Sequence, residues 1–257
     1  MIQQQAVKIQ EGYQIKKLPI DPKLIAQKAN IQVEPKVDCE EGVSGMLVRS
    51  GEKYLIVYAT YLGNPGFENF SIAHELGHYF LEGHPEQIFL NGDIHKSIAN
   101  FASDNEIERQ ADIFAASLLM PENLFKDHIT EYEKGMSCIE AMAKLCNTSL
   151  TATAIRYAEL TEDKVIVLVS TNGIIDYCRI SNAVFDLRDI EIPKKGDRIP
   201  KGTATEKIFR DLSLMYKQDP LYMETDFRDW LECRKPKTAA EEAKGLGKYS
   251  KVLTVIC

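Results

Sequence analysis

Hydrophobic and polar positions change period along this chain. In 69–83 (NFSIAHELGHYFLEG), Ile72, Leu76, Tyr79 and Phe80 share one helical face, and Gly83 suits a helix stop. A second helical period runs through DNEIERQADIFAASLLMPE, where Ala111, Phe114, Ala115 and Leu118 form the apolar stripe. Ser103 and Glu106 match a capping box at its start, and Pro121 ends it. Residues 18–35 predict a short helix flanked by prolines, with Asp21 as N-cap and Pro22 in the first turn. Residues 43–60 predict a hairpin in which MLV and YLIVYA flank a turn at Ser50-Gly51. Residues 84–103 show no period and are expected to form a long loop.

Residues 137–160 predict two short helices with a turn near Cys146-Asn147. Beyond 160 the pattern turns strand-like. KVIVLVS and IIDYCRIS flank Thr171-Asn172-Gly173, and Asn-Gly between two such runs is a hairpin signal. A Pro/Lys/Gly-rich segment (IPKKGDRIPKG), charged helical stretches and a final strand KVLTVI follow. No internal repeat or low-complexity stretch interrupts the chain.

Composition narrows the function classes. The 257 residues suit one large or two modest domains, and 44% hydrophobic with 27% charged residues is ordinary for a globular protein. The net charge of −7 argues against a general nucleic-acid-binding surface. No apolar run reaches membrane-spanning length, and the first 17 residues lack the basic start and apolar core of a signal peptide. The six cysteines are scattered without a C-x-x-C pair, which fits small core hydrophobes in a reducing cytoplasm.

The chemistry gathers at His74-Glu75-Leu76-Gly77-His78. On a helix, side chains four apart project from one face about one turn apart, so the two imidazoles can share one zinc ion. Glu75 then points beside the ion, where a general base can take a proton from water. A chain of this length can hold H-E-x-x-H by chance, so context has to decide.

A catalytic zinc needs a third protein ligand and an open position. Glu108 on the second helix is the preferred candidate. Asp112, four residues on, faces the same way and is placed to accept a hydrogen bond from a ligand imidazole and fix its tautomer. His84 has the ten-residue spacing from His74 used by metzincin peptidases. Their glycine, however, stands three residues after the second histidine, where this chain has Leu81. Asp93, His95, Asp104 and Glu106 are lesser candidates. His95 and His128 are expected to be exposed surface histidines.

These residues resemble the ImmA/IrrE family of bacterial metallopeptidases. The resemblance rests on NFSIAHELGHYFLEG (69–83), EIERQADIFAASLLMPENLF (106–125) and the spacing between them, and it covers roughly residues 15–180. It implies His74, His78 and Glu108 as metal ligands and Glu75 as catalytic base. Gln110 departs from the pattern, which often has Glu there. The expected architecture is α+β. Residues 1–160 form a mainly helical, zincin-like metallopeptidase domain with a small β-sheet and the helical pair at 137–160. Residues 161–257 form a smaller α+β module, sensory or substrate-selecting.

Family members cleave or inactivate a helix-turn-helix repressor, switching on stress-response or mobile-element genes. The resemblance therefore implies a cytoplasmic zinc-dependent endopeptidase with such a repressor as protein substrate, and no nucleic-acid or membrane partner. Another divalent ion such as Mn²⁺ also suits a two-His, one-Glu site. The rival class is a non-catalytic, metal-stabilised regulator that sequesters the repressor; an intact Glu75 favours the peptidase. The helical pair carries only Lys144 and Arg156 as basic residues, which reads as packing rather than DNA reading. A substrate strand is expected to pair with an edge near 54–59. Tyr79 and His128 are the candidates for an oxyanion donor. Trp230 is expected in the core.

Overall fold

Local signals start the first helices. The Asp21 side chain accepts a hydrogen bond from Lys23 N–H at 2.9 Å, and Pro22 opens the helix behind it. The Asn64 side chain caps the metal-motif helix through Phe67 N–H at 3.2 Å. In this computed structural model, which describes residues 2–37, 42–98 and 105–257, the chain is α+β with two sheets. It forms two compact units, Met1–Phe125 with Met142–Leu150, and Lys126–Ala141 with Thr151–Cys257.

The first unit holds α1 (Ile2–Gly12), α2 (Pro22–Lys28), β1 (Gln32–Lys36), β2 (Val43–Ser50), β3 (Lys53–Ala59), α3 (Pro65–Phe80), α4 (His84–Ile88), β4 (Ile94–Ile98) and α5 (Glu106–Leu119). Its sheet runs β1-β3-β2-β4, with β1 parallel to β3 and β2 antiparallel to both its neighbours. Helix α3 lies on β2 and β3 and packs along α5, and α1 backs α5. Leu47, Ile56, Ile72, Leu76, Phe114 and Leu118 are fully buried. The Gln10 amide of α1 donates to the carbonyls of Ser117 and Leu118 at 2.9 and 3.1 Å, satisfying acceptors that the end of α5 leaves open.

Helices α6 (Glu122–Ile129), α7 (Met136–Cys146) and α8 (Leu150–Leu160) follow. Asn147 turns the chain between α7 and α8 at φ +53°, as the sequence suggests. Arg156, one of the two basic residues of this pair, is buried and donates to Glu159 at 3.2 Å.

The second unit adds β5 (Ile166–Thr171), β6 (Ile174–Ile180), α9 (Ala204–Arg210), α10 (Leu212–Met215), β7 (Leu221–Asp226), α11 (Phe227–Trp230), β8 (Thr238–Gly245) and β9 (Lys251–Ile256). Its antiparallel sheet runs β6-β5-β9-β8-β7. Asn172 and Gly173 both have positive φ, the backbone of a two-residue hairpin turn. Trp230 is buried with Ile166, Leu168 and Phe227, as expected of a core residue.

Four sequence expectations change. Residues 32–36 form β1 rather than continuing a helical segment. Helix α3 begins at Pro65 and ends at Phe80, and Gly83, at φ +80°, leads into α4 instead of ending α3. Residues 84–98 are not a loop: α4 and β4 form there, and β4 is made by pairing with β2, a partner about fifty residues away that local pattern cannot show. Finally, β3 has partners on both sides, so 54–59 offers no edge to a substrate strand; among the described residues the edges of this sheet are β1 and β4. Ser103 and Asp104 lie outside the described residues; the observed cap of α5 is Asn105, whose side chain accepts from Ile107 N–H at 3.0 Å. No helix among the described residues is long and apolar enough to cross a membrane.

Candidate metal centre

One face of α3 carries His74 and His78, four residues apart, with Gly77 beside them. A β-carbon at Gly77 would stand 3.2 Å from Ala111 Cα and 3.2 Å from the Phe114 ring. This close approach of α3 to α5 brings Glu108 and Asp112 up to the histidines. The Nε2 atoms of His74 and His78 are 3.0 Å apart. Glu108 Oε2 is 3.2 Å from Nε2 of His74, and Oε1 is 3.4 Å from Nε2 of His78. Ligands at 2.0–2.1 Å around a tetrahedral ion are separated by roughly 3.3 Å. The two Nε2 atoms stand close to that spacing, the Glu108 carboxylate approaches each of them through a different oxygen, and one donor atom from each residue lies within 4.8 Å of the others, which makes the three the candidate metal group among the described residues.

The surroundings orient these donors. Nδ1 of His74 donates to Asp112 at 2.8 Å, which turns Nε2 toward Glu108 and His78. Burial by itself would lower the His74 pKa, but the bonds to Asp112 and Glu108 and the charge of Glu75 outweigh it and raise it to about 10. Burial lowers His78 to about 4. Burial works to raise Glu108, yet hydrogen bonds from His74 and His95 and the close His78 ring hold its carboxyl far below the usual range. In the metal-free chain a proton on His74 thus balances the Glu108 carboxylate.

Glu75 differs in kind. It is 0% exposed, neither carboxylate oxygen makes a hydrogen bond of normal geometry among the described residues, and burial pushes its pKa up against the opposing pull of His74 and the nearby Ser97 hydroxyl. Gly45 on β2 makes the space: a β-carbon there would meet Glu75 Oε1 at 2.6 Å. The buried hydroxyl of Ser97 is also unpartnered.

The structure therefore brings together His74, Glu75, His78, Glu108 and Asp112. It also brings in His95, a lesser ligand candidate in the sequence whose default expectation is an exposed surface histidine. His95 comes from β4, its side chain is 17% exposed, and Nε2 donates to Glu108 Oε1 at 3.1 Å. No local signal places it at the site, because β4 is formed by pairing with the distant β2. His84 is buried behind His78 rather than among the three donors. Asp93 pairs with Arg49 at 3.0 Å, and Glu106 bonds Arg109 and Gln110. Tyr79 packs on the Tyr54 ring at 4.9 Å, while His128 belongs to the second unit and pairs with Glu131 at 3.2 Å.

Two imidazoles, a carboxylate and a free buried carboxylate on crossed helices define a metallopeptidase-type site. The chain belongs to the Peptidase_M78 family, described as the IrrE N-terminal-like domain, whose model matches residues 26–157. Within it the chain is similar to the radiation response metalloprotease IrrE of Deinococcus deserti, at 30% identity over 105 residues. That alignment spans 41% of this chain and 36% of the relative. The fold is similar to a solved transcriptional regulator of Mycobacterium tuberculosis, with a TM-score of 0.61 and 13% identity over 100% of this chain and 76% of that one.

Proposed function

We propose that the chain is a zinc-dependent, zincin-like endopeptidase of the cytoplasm that cleaves a protein substrate. The observation that carries this reading is Glu75. A buried carboxylate without partners is costly, and a purely structural metal site has no use for it. Its place next to His74 in the chain, with three converging metal donors nearby, supports a role as general base.

His74, His78 and Glu108 would hold the ion. A divalent metal there supplies a Lewis acid for the scissile carbonyl and acidity to a bound water. The chain's own residues do the rest. Glu75 takes a proton from the attacking water on a carboxylate oxygen and passes it to the departing amine nitrogen. Its raised pKa, set by burial, suits it to hold that proton between the two transfers. Asp112 keeps the His74 ring in register. His95, partly open to solvent, binds the second oxygen of Glu108 and limits how the carboxylate can turn.

The family resemblance supports a helix-turn-helix repressor as substrate and a role in stress response or mobile-element control. The name of the Deinococcus relative, a radiation response metalloprotease, accords with that role.

The test is Glu75→Gln, assayed against a repressor encoded beside the gene, with and without chelator, by mass analysis of fragments. The variant is expected to keep zinc and substrate binding and to lose cleavage by at least about a hundredfold. Full relief of repression by this variant would instead support the rival reading, a metal-stabilised regulator that sequesters its partner.

A further inference from the structure

A line of side chains runs behind His78 that the peptidase reading leaves unused. His84, buried at the start of α4, places Nδ1 3.2 Å from Nδ1 of His78 and Nε2 3.0 Å from Oε1 of Gln110. Gln110 Nε2 donates to Glu106 Oε1 at 2.8 Å. Donor and acceptor counting along this line gives one direction. A carboxylate only accepts, so the Gln110 NH₂ faces Glu106 and the amide oxygen faces His84. That oxygen only accepts, so the hydrogen of His84 sits on Nε2. With both rings neutral, each has one N–H, so Nδ1 of His84 is a lone pair and Nδ1 of His78 donates to it. Nε2 of His78 is then left as a lone pair directed at His74 and Glu108, the form in which an imidazole binds a metal.

We propose that His84 and Gln110 are positioning residues that fix the tautomer and ring orientation of His78, with Glu106 fixing the Gln110 amide. The two histidine ligands are thus held by separate devices. His74 leans on the Asp112 carboxylate. His78 leans on a neutral imidazole–amide relay that reaches from α4 to α5. The inference rests on the metal-centre reading given above. It also gives Gln110 a job suited to an amide: its two ends have opposite polarity, so one side chain links a carboxylate to an imidazole N–H.

The test uses the full-length chain, metal-free, with ¹⁵N-labelled histidine, and reads tautomers from long-range proton–nitrogen correlations. Wild type is expected to show His78 protonated at Nδ1. Gln110→Leu, which keeps the volume but removes the acceptor, is expected to show a mixture of His78 tautomers with the His74 signals unchanged. In chelator competition Gln110→Leu and His84→Ala are expected to weaken zinc binding by about 10–100-fold. Gln110→Glu keeps the acceptor for His84 but loses the donor to Glu106, so its zinc affinity is expected to lie between wild type and Gln110→Leu. Circular dichroism checks folding, and Gln110 is only half-buried, so the Leu variant serves if His84→Ala fails to fold. An Nε2–H tautomer of His78 in wild type, or unchanged zinc affinity in Gln110→Leu, overturns the relay. A wild-type chain that binds no zinc overturns the metal-centre reading instead, while the tautomer spectrum still decides whether the relay exists.

Discussion

Gly45 makes the place of Glu75: a β-carbon at position 45 would stand 2.6 Å from Glu75 Oε1 and 3.2 Å from its Cγ. The strand beneath the metal helix thus carries its smallest residue where the free carboxylate needs room. Gly45→Ala should displace the carboxylate end while leaving the three metal donors in place. Cleavage is expected to fall roughly 10–100-fold, because small misplacements of a catalytic group cost that much. Zinc affinity, read by chelator competition, should hold. Equal loss of zinc and cleavage would show that position 45 supports the whole centre rather than Glu75.

Asp112 accepts the Nδ1–H of His74 at 2.8 Å. Asp112→Ala is expected to weaken zinc binding about 10–100-fold, the usual effect of removing a carboxylate behind a histidine ligand. Cleavage at saturating zinc should recover much of its rate. Wild-type affinity in this variant would mean that packing alone sets the His74 ring.

Zinc uptake should release protons in a pH-dependent way. His74 titrates at about 10 in the metal-free chain, although its burial opposes this, and His78, lowered by burial, titrates at about 4. Near pH 7, then, His74 carries a proton that the metal must displace and His78 does not. Calorimetry in buffers of differing ionisation enthalpy should report about one proton released from the ligands, with zinc affinity rising as pH increases. The same shift has a stability side. A group whose folded pKa is raised stabilises fully below its unfolded value near 6.5 and loses that contribution as pH rises toward 10. Metal-free protein should therefore lose stability across that window, and zinc-loaded protein should not lose it through His74. Proton-neutral uptake at pH 7 would contradict this charge pattern.

In the second unit Glu241 is buried and accepts from Ala204 N–H, Thr205 N–H and the Thr205 hydroxyl at 2.8–2.9 Å, with Thr205 also sharing a hydrogen with Thr254 at 2.6 Å. Glu241→Ala leaves three buried donors unanswered. The expected cost is roughly 3 kcal/mol or more, measured as a shift of the denaturant midpoint. A loss below about 1 kcal/mol would indicate that water replaces the carboxylate.

Most helices were legible because their information is local. The Asp21–Pro22 start, the stripe on α5 and the Asn147 turn each act within a few residues of the chain. The Asn172-Gly173 hairpin was legible for the same reason. TAAEEAKG shows where this ends. Ala, Glu and Lys favour helix, yet 238–245 is β8, with β9 on one side and β7 on the other, because the sheet satisfies its backbone from both neighbours.

For the site, the sequence by itself determined that His74 and His78 share a face with Glu75 beside them, and that Glu108 and Asp112 share a face of a later helix. Helical periodicity fixes such relations without any tertiary contact. Only the tertiary structure decided that the two faces meet, through the close approach at Gly77. It alone decided that β4, held by β2, delivers His95, that His84 stands behind His78, and that Gly45 leaves room for the Glu75 carboxylate. Each of these is a relation between elements far apart in sequence, set by which surfaces pack together, and no local pattern carries it.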